Sequence, residues 1–268
     1  MSNISLTASM RSNLLSLQNT QSLMDTTQER LSTGKKVNSA IDNPSSYYTA
    51  QSLNNRASEL SSLLDCMGQA IQTIKAADEG IEAITTFAQQ AKAVAQSALD
   101  SSSEADRTNY MGQFNAILTQ IDGVAKDSGY KGVNLLNGGS LTVKFDETGD
   151  SKLEIGGETA TAAGLKIDKG TDWTDAANIS DAIDKVNAAI SSLRSMASKF
   201  GNNYSIVQSR EDFTENLINV LTEGADKLTL ADMNEESANM LALQTRQQLA
   251  INSLSLASQA AQSVLKLF

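Results

Sequence analysis

The sequence predicts a mainly α-helical protein: long antiparallel helices in a coiled-coil-like bundle, a small β-hairpin region, and paired terminal helices. Three observations carry that prediction. The 268 residues include one proline, Pro44, and proline is the main breaker of helices. Apolar residues recur at alternating steps of four and three along most of the chain, which keeps them on one helical face. Period-two alternation is confined to one glycine-rich stretch, Gly129 to Gly170.

In the first helix Met10, Leu14, Leu17, Gln21, Met24, Gln28 and Leu31 form a heptad seam in which two positions are glutamine. It stops at Gly34, beside Lys35 and Lys36, as expected of a helix C-terminus. Val37 to Pro44 reads as a connector, because proline pushes Asn43 out of the helical region and Ser, Asn and Asp supply turn bonds. A second helix spans about Ser45 to Leu99. Its stripe begins with Leu60, Leu64, Met67, Ile71, Ile74, Ile81 and Ile84 and ends in Ala88, Ala91, Ala95 and Ala98, small residues that let a neighbouring helix approach closely. Ser101 to Ser103 with Glu104 and Asp106 form a turn and cap. A third helix carries Tyr110, Phe114, Ile117, Ile121 and Val124.

Leu141, Val143 and Phe145, then Leu153 and Ile155, alternate around a polar tip, a hairpin within a region at about 138–170; Leu165 and Ile167 offer a third short strand. The next helix keeps its period without a miss from Ile179 through Ile183, Val186, Ile190, Leu193, Ala197, Phe200 and Tyr204 to Val207, then moves its stripe to Phe213, Leu217 and Val220. A break is expected around Leu221 to Leu230. Asp232 with Glu235 then starts the last helix as a capping box. That helix spreads Met240, Leu241, Leu243, Leu249, Ile251, Leu254, Leu256, Val264, Leu265, Leu267 and Phe268 over more than one face, among Gln, Ser and Asn.

Charge separates the ends from the middle. Every one of the 31 acids lies between Asp25 and Glu236, and outside those limits the only charges are Arg11, Arg246 and Lys266. The net charge of −10 opposes nucleic-acid and anionic-membrane partners. No apolar run approaches the ~20 residues of a membrane span, and Met1 to Met24 lacks the basic and apolar regions of a cleavable secretory signal. Histidine is absent, which removes the usual proton shuttle and the commonest metal ligand. No catalytic, cofactor or metal site is therefore expected, although paired carboxylates stay open as a catalytic alternative. Cys66, the single cysteine, can close no disulfide within the chain and, beside Met67, reads as a small buried hydrophobe. Trp173 reads as a packing anchor, and Asp146, Glu147 and Asp150 as a solvated tip without calcium-loop spacing.

One partner helix covers one face only, so the last helix needs several neighbours. The acid-free first helix is the first of them, and other copies supply the rest; an intramolecular coiled coil or free tails are the alternatives. Neutral polar flanks suit helices packed among many others. The expected assembly residues are Met10, Leu14, Leu17, Met24, Leu31, Met240, Leu243, Ile251, Leu254, Leu265 and Phe268, and the expected core of the middle is Leu60, Met67, Ile71, Ile74, Ile183, Val186, Ile190 and Leu193.

Four stretches resemble the bacterial flagellins: Asn3 to Leu17 (NISLTASMRSNLLSL), Arg30 to Asn43 (RLSTGKKVNSAIDN), Tyr130 to Asn137 (YKGVNLLN) and Met240 to Phe268. Asp42 to Arg56 and Asn203 to Phe213 are similar to the short alphaproteobacterial type. The resemblance implies a non-enzymatic filament subunit for motility, exported unfolded through a flagellar type III apparatus to an extracellular filament, with termini that order on assembly. It implies an inner terminal-helix domain of residues 1–40 plus 228–268, and an outer helical domain of residues 41–227. Implied partners are other copies of the chain, hook-associated junction and cap proteins, and an export chaperone, with no cofactor. A junction protein that shares the terminal helices is the rival within the same apparatus. Receptor-activating relatives carry an arginine where this chain reads Gln89 to Gln96 without one, so weak or no innate-receptor activation is expected.

Overall fold

The computed structural model describes residues 8–265. Among them the chain forms α1 (Ala8–Thr33), α2 (Pro44–Asp100), α3 (Glu104–Asp127), β1 (Ser140–Lys144), β2 (Lys152–Gly156), α4 (Ala176–Thr229) and α5 (Met233–Leu265). Two compact units result: one joins the chain up to Asn55 with that from Leu221 onward, and the other is Arg56–Val220.

Helix ends follow local chemistry. Asn43 Oδ1 accepts from the Ser46 amide at 3.1 Å, and Pro44 opens α2 where its missing N–H is no loss. Ser103 caps α3 by accepting from the Asp106 amide. At the other end of α3, Asn134 Nδ2 donates to the carbonyls of Ala125 and Lys126, both at 2.9 Å, while its Oδ1 accepts from the Leu136 amide. One side chain thus closes α3 and shapes the next turn, which buries Leu135 and Leu136.

The Arg56–Val220 unit has one continuous core. Met67, Ile71, Ile74, Ile81 and Ile84 of α2 join Phe114, Leu118 and Ile121 of α3 and Val186, Ile190 and Leu193 of α4, and Ile183 packs against the cluster partly buried. The stripe of α2 ends in alanines without exposed surface, Ala88 through Ala98. Leu60 is also buried. β1 and β2 pair antiparallel, with Leu141 opposite Ile155 and Val143 opposite Leu153; Val143 and Ile155 face the core. Trp173 is buried against Phe114, ring centroids 5.0 Å apart.

Apart from the seam of α1, four readings of the sequence require correction. Cys66 is exposed; it sits one residue, about 100° of helix, off the buried line through Met67. Leu165 and Ile167 are buried but form no strand, because their amides turn back to Thr161 and Ala162 instead of a ladder. α4 runs without interruption through Leu221 to Thr229: Gly224 costs only ~1 kcal/mol, and Leu221 and Ala225 bury. Phe213 and Val220 are exposed, and the buried line there is Val207, Thr214 and Leu221.

Candidate assembly surface

The terminal helices form an antiparallel pair. Arg30 Nη1 donates to Glu236 Oε1 at 2.9 Å, and Gln247 Nε2 donates to Gln21 Oε1 at 2.7 Å. Moving back along α1 from Arg30 therefore means moving forward along α5 from Glu236. The connectors between helices clasp each other: the amides of Lys36 and Val37 donate to the Thr229 carbonyl, and the Ala231 amide donates to that of Gly34. Gly34, at φ +70°, permits the tight exit from α1. Asp232 Oδ1 accepts from the amides of Asn234 and Glu235 and starts α5.

The seam of α1 differs from the expected one. The less exposed line is Met10, Asn13, Leu17, Thr20, Met24, Thr27 and Leu31, while Leu14, Gln21 and Gln28 are exposed. Threonine fits because its methyl can pack while its hydroxyl returns to its own helix, as Thr20 Oγ1 does to the Ser16 carbonyl at 2.9 Å. Glutamine would have to bury an amide; Gln21 instead meets Gln247 and Asp25 at the edge. On α5 the corresponding line is Glu236, Met240, Leu243, Gln247, Ala250, Leu254 and Ala257. Both lines keep the four-three alternation, so each helix offers its partner one face.

What remains outside the seam is unusually apolar. Leu241, Leu249 and Leu256 are 66%, 61% and 68% exposed and, at about 100° per residue, line the face of α5 opposite its seam. Ile251 and Leu23 lie on flanks, and Leu15 points away from the seam of α1. Of the expected assembly residues, Met10, Leu17, Met24, Leu31, Met240, Leu243 and Leu254 lie along the seams, and Leu14 and Ile251 are exposed. The side chain of Leu265, and Phe268, lie outside the described residues. Thr20, Thr27 and Leu15 belong to this surface or its seam but escaped expectation; the buried threonines had a signal in their four-three steps to Met24. Such surface, apolar and almost free of charge, is of the kind that marks an interaction site. Among the described residues no helix is long and apolar enough to cross a membrane.

Comparison with known proteins points to one family. The profile of the bacterial flagellin N-terminal helical region matches residues 4–140, and that of the bacterial flagellin C-terminal helical region matches residues 183–268. Flagellin FljK of Caulobacter vibrioides is 28% identical over 257 residues, covering 95% of this chain and 94% of its own. A flagellin of Brucella melitensis is 29% identical over 268 residues, covering 95% of each chain. The crystal structure of Bacillus cereus flagellin superposes with a TM-score of 0.49 at 15% identity, covering 56% of this chain and 88% of that one.

Proposed function

This chain belongs to the bacterial flagellin family, and from that premise we propose how its terminal helices build a polymer. The protein is a structural subunit of the flagellar filament, an extracellular organelle of motility, and it assembles with copies of itself. In our reading, residues 1–40 and 228–268 form the inner assembly domain and residues 41–227 the outer one. The α1–α5 pair satisfies one face of each helix, and neighbouring copies cover the rest.

The exposed line Leu241, Leu249 and Leu256 supports this reading most strongly. Three leucines without a cover in a single chain gain burial only when copies stack, at ~1.5–3 kcal/mol for each one fully buried. The subunit travels unfolded through the flagellar type III apparatus, aided by an export chaperone, and meets junction and cap proteins at the filament's two ends. Its role is mechanical, without catalysis. The stretch Gln89 to Gln96, with Lys92 its only charge, makes it a weak agonist or none at the flagellin-sensing innate receptor.

Removing residues 1–40 and 228–268 tests the reading. The expected product is a folded monomer, held by the core of Arg56–Val220, that does not elongate on filament seeds. A truncated chain that still grows filaments would refute the proposed role of the termini.

A further inference from the structure

Outside the terminal pair, two features of the surface fit each other. The first is a groove of about 330 Å³ in the Arg56–Val220 unit, between α2, the turn after α3, and β1. Leu63, Ala70, Val133 and Leu141 line it, and Lys131 and Lys144 stand among its walls. Neither lysine has a carboxylate partner among the described residues.

The second is a turn that holds an isoleucine out in solvent. Ile41 is 93% exposed, yet the turn beneath it is built. Asp42 Oδ2 accepts from the amides of Asn38 and Ser39, both at 2.9 Å, and from Ser39 Oγ at 3.2 Å. Val37 behind it is buried, and its amide is tied to Thr229. All three donors go to Oδ2, so among the described residues Oδ1 accepts no hydrogen bond, and Arg30 is the cation whose charge already reaches the carboxylate. Asp42 is also the only charged residue between Lys36 and Arg56.

We propose that Ile41 of one copy seats in this groove on another copy, with Asp42 Oδ1 meeting the lysines. An apolar knob beside one negative charge complements an apolar hollow beside two unpaired positive ones. Because the turn is ordered beforehand, little conformational freedom is lost on docking. Knob and hollow are different patches of the same chain, so their contact is heterologous, the kind that propagates into an open helix. The inference rests on the polymer reading and assigns it a contact outside the terminal helices.

Cys66, the only cysteine, also lines the groove and is exposed, so it can report occupancy. An Ile41→Cys/Cys66→Ser chain is copolymerised with an excess of wild-type chain and oxidised gently. A disulfide requires Cα atoms within about 7 Å. The contact predicts a disulfide-linked dimer in filaments, absent from dilute monomers and absent when the excess partner carries Cys66→Ser. Filaments that yield no mixed dimer overturn it. So does a dimer that persists with the Cys66→Ser partner, or one formed by wild-type filaments alone, since those would pair position 41 or position 66 with itself.

In parallel, Ile41→Asp should slow seeded elongation about tenfold or more with unchanged monomer melting, whereas Ile41→Leu should grow normally. Normal growth of Ile41→Asp contradicts the contact. Wild-type chains that never elongate would remove the polymer reading itself; elongation without the mixed dimer removes this contact alone.

Discussion

Arg30 and Glu236, 206 positions apart in sequence, share a charge-assisted hydrogen bond of 2.9 Å across the terminal helices. The Glu236 side chain is only 9% exposed, and its Oε2 is buried with no hydrogen-bond partner among the described residues. Arg30 is thus the group that justifies a buried carboxylate in the seam.

Arg30→Ala leaves that carboxylate buried without its cation, at a cost of about 2–4 kcal/mol. If the terminal helices pair only on assembly, the filament alone bears this cost, and the monomer concentration left at equilibrium with polymer should rise roughly 30- to 900-fold. Glu236→Gln removes the charge together with its need for a partner and should cost less, about 1 kcal/mol. Sedimentation of filaments measures both, and equal effects would mean that the buried charge is not the issue.

Ile190, 8% exposed in the core of the Arg56–Val220 unit, tests the packing there. Ile190→Ala should destabilise the monomer by about 2–5 kcal/mol through lost contacts and a cavity. Thermal unfolding followed by circular dichroism measures it, and an unchanged curve would take Ile190 out of the core.

Gly80 tests a close approach. A Cβ at this position would lie 2.6 Å from Leu136 Cδ1 and 2.8 Å from Ser128 Cβ. Although alanine is the better helix former, Gly80→Ala should therefore destabilise the unit by about 1–3 kcal/mol. A denaturant midpoint that rises would show that the Ser128–Leu136 turn can move away freely.

Much of this architecture is legible in the residues themselves. The unbroken spacing from Ile179 to Val207 marks the buried face of α4, and the alanines of α2 foretell a close neighbour; Ala91, Ala95 and Ala98 have no exposed surface. Legibility fails where two adjacent lines compete. Periodicity alone allows Gln21 or Thr20 into the seam of α1, and the cost of burying an amide decides for Thr20. Cys66 lies one residue from Met67 yet on another face. Alternation at Leu165 and Ile167 reads as a strand, but their amides are spent locally. On α5 the sequence reveals apolar residues on several faces; which of them face α1 becomes clear only from pairs such as Gln21 with Gln247.

Acid should loosen the turn that carries Ile41. Amides of Ser39 and Asn38 donating to Asp42 hold its carboxyl below the usual carboxylate range. A group whose folded value is depressed stabilises the fold above its unfolded value, about 3.9, and that contribution vanishes as pH falls through the lower folded value. The amides of Asn38 and Ser39 should therefore stay protected from exchange at neutral pH and lose protection in strong acid, below about pH 4. Asp42→Asn should abolish this dependence. Protection that is independent of pH in the unaltered chain would show that the carboxylate does not hold the turn.

The central claim is that the outward leucines of α5 are covered only by other copies, and charge placed there tests it most directly. Leu249 and Leu256 are 61% and 68% exposed, so a solvated carboxylate costs the monomer little, whereas burial among neighbouring helices would leave it unpaired. Seeded elongation of the Leu249→Asp/Leu256→Asp chain, followed by negative-stain microscopy, is the measurement. The account predicts a monomer that melts like the unaltered protein and adds to no filament. Filaments of normal length and number would contradict it.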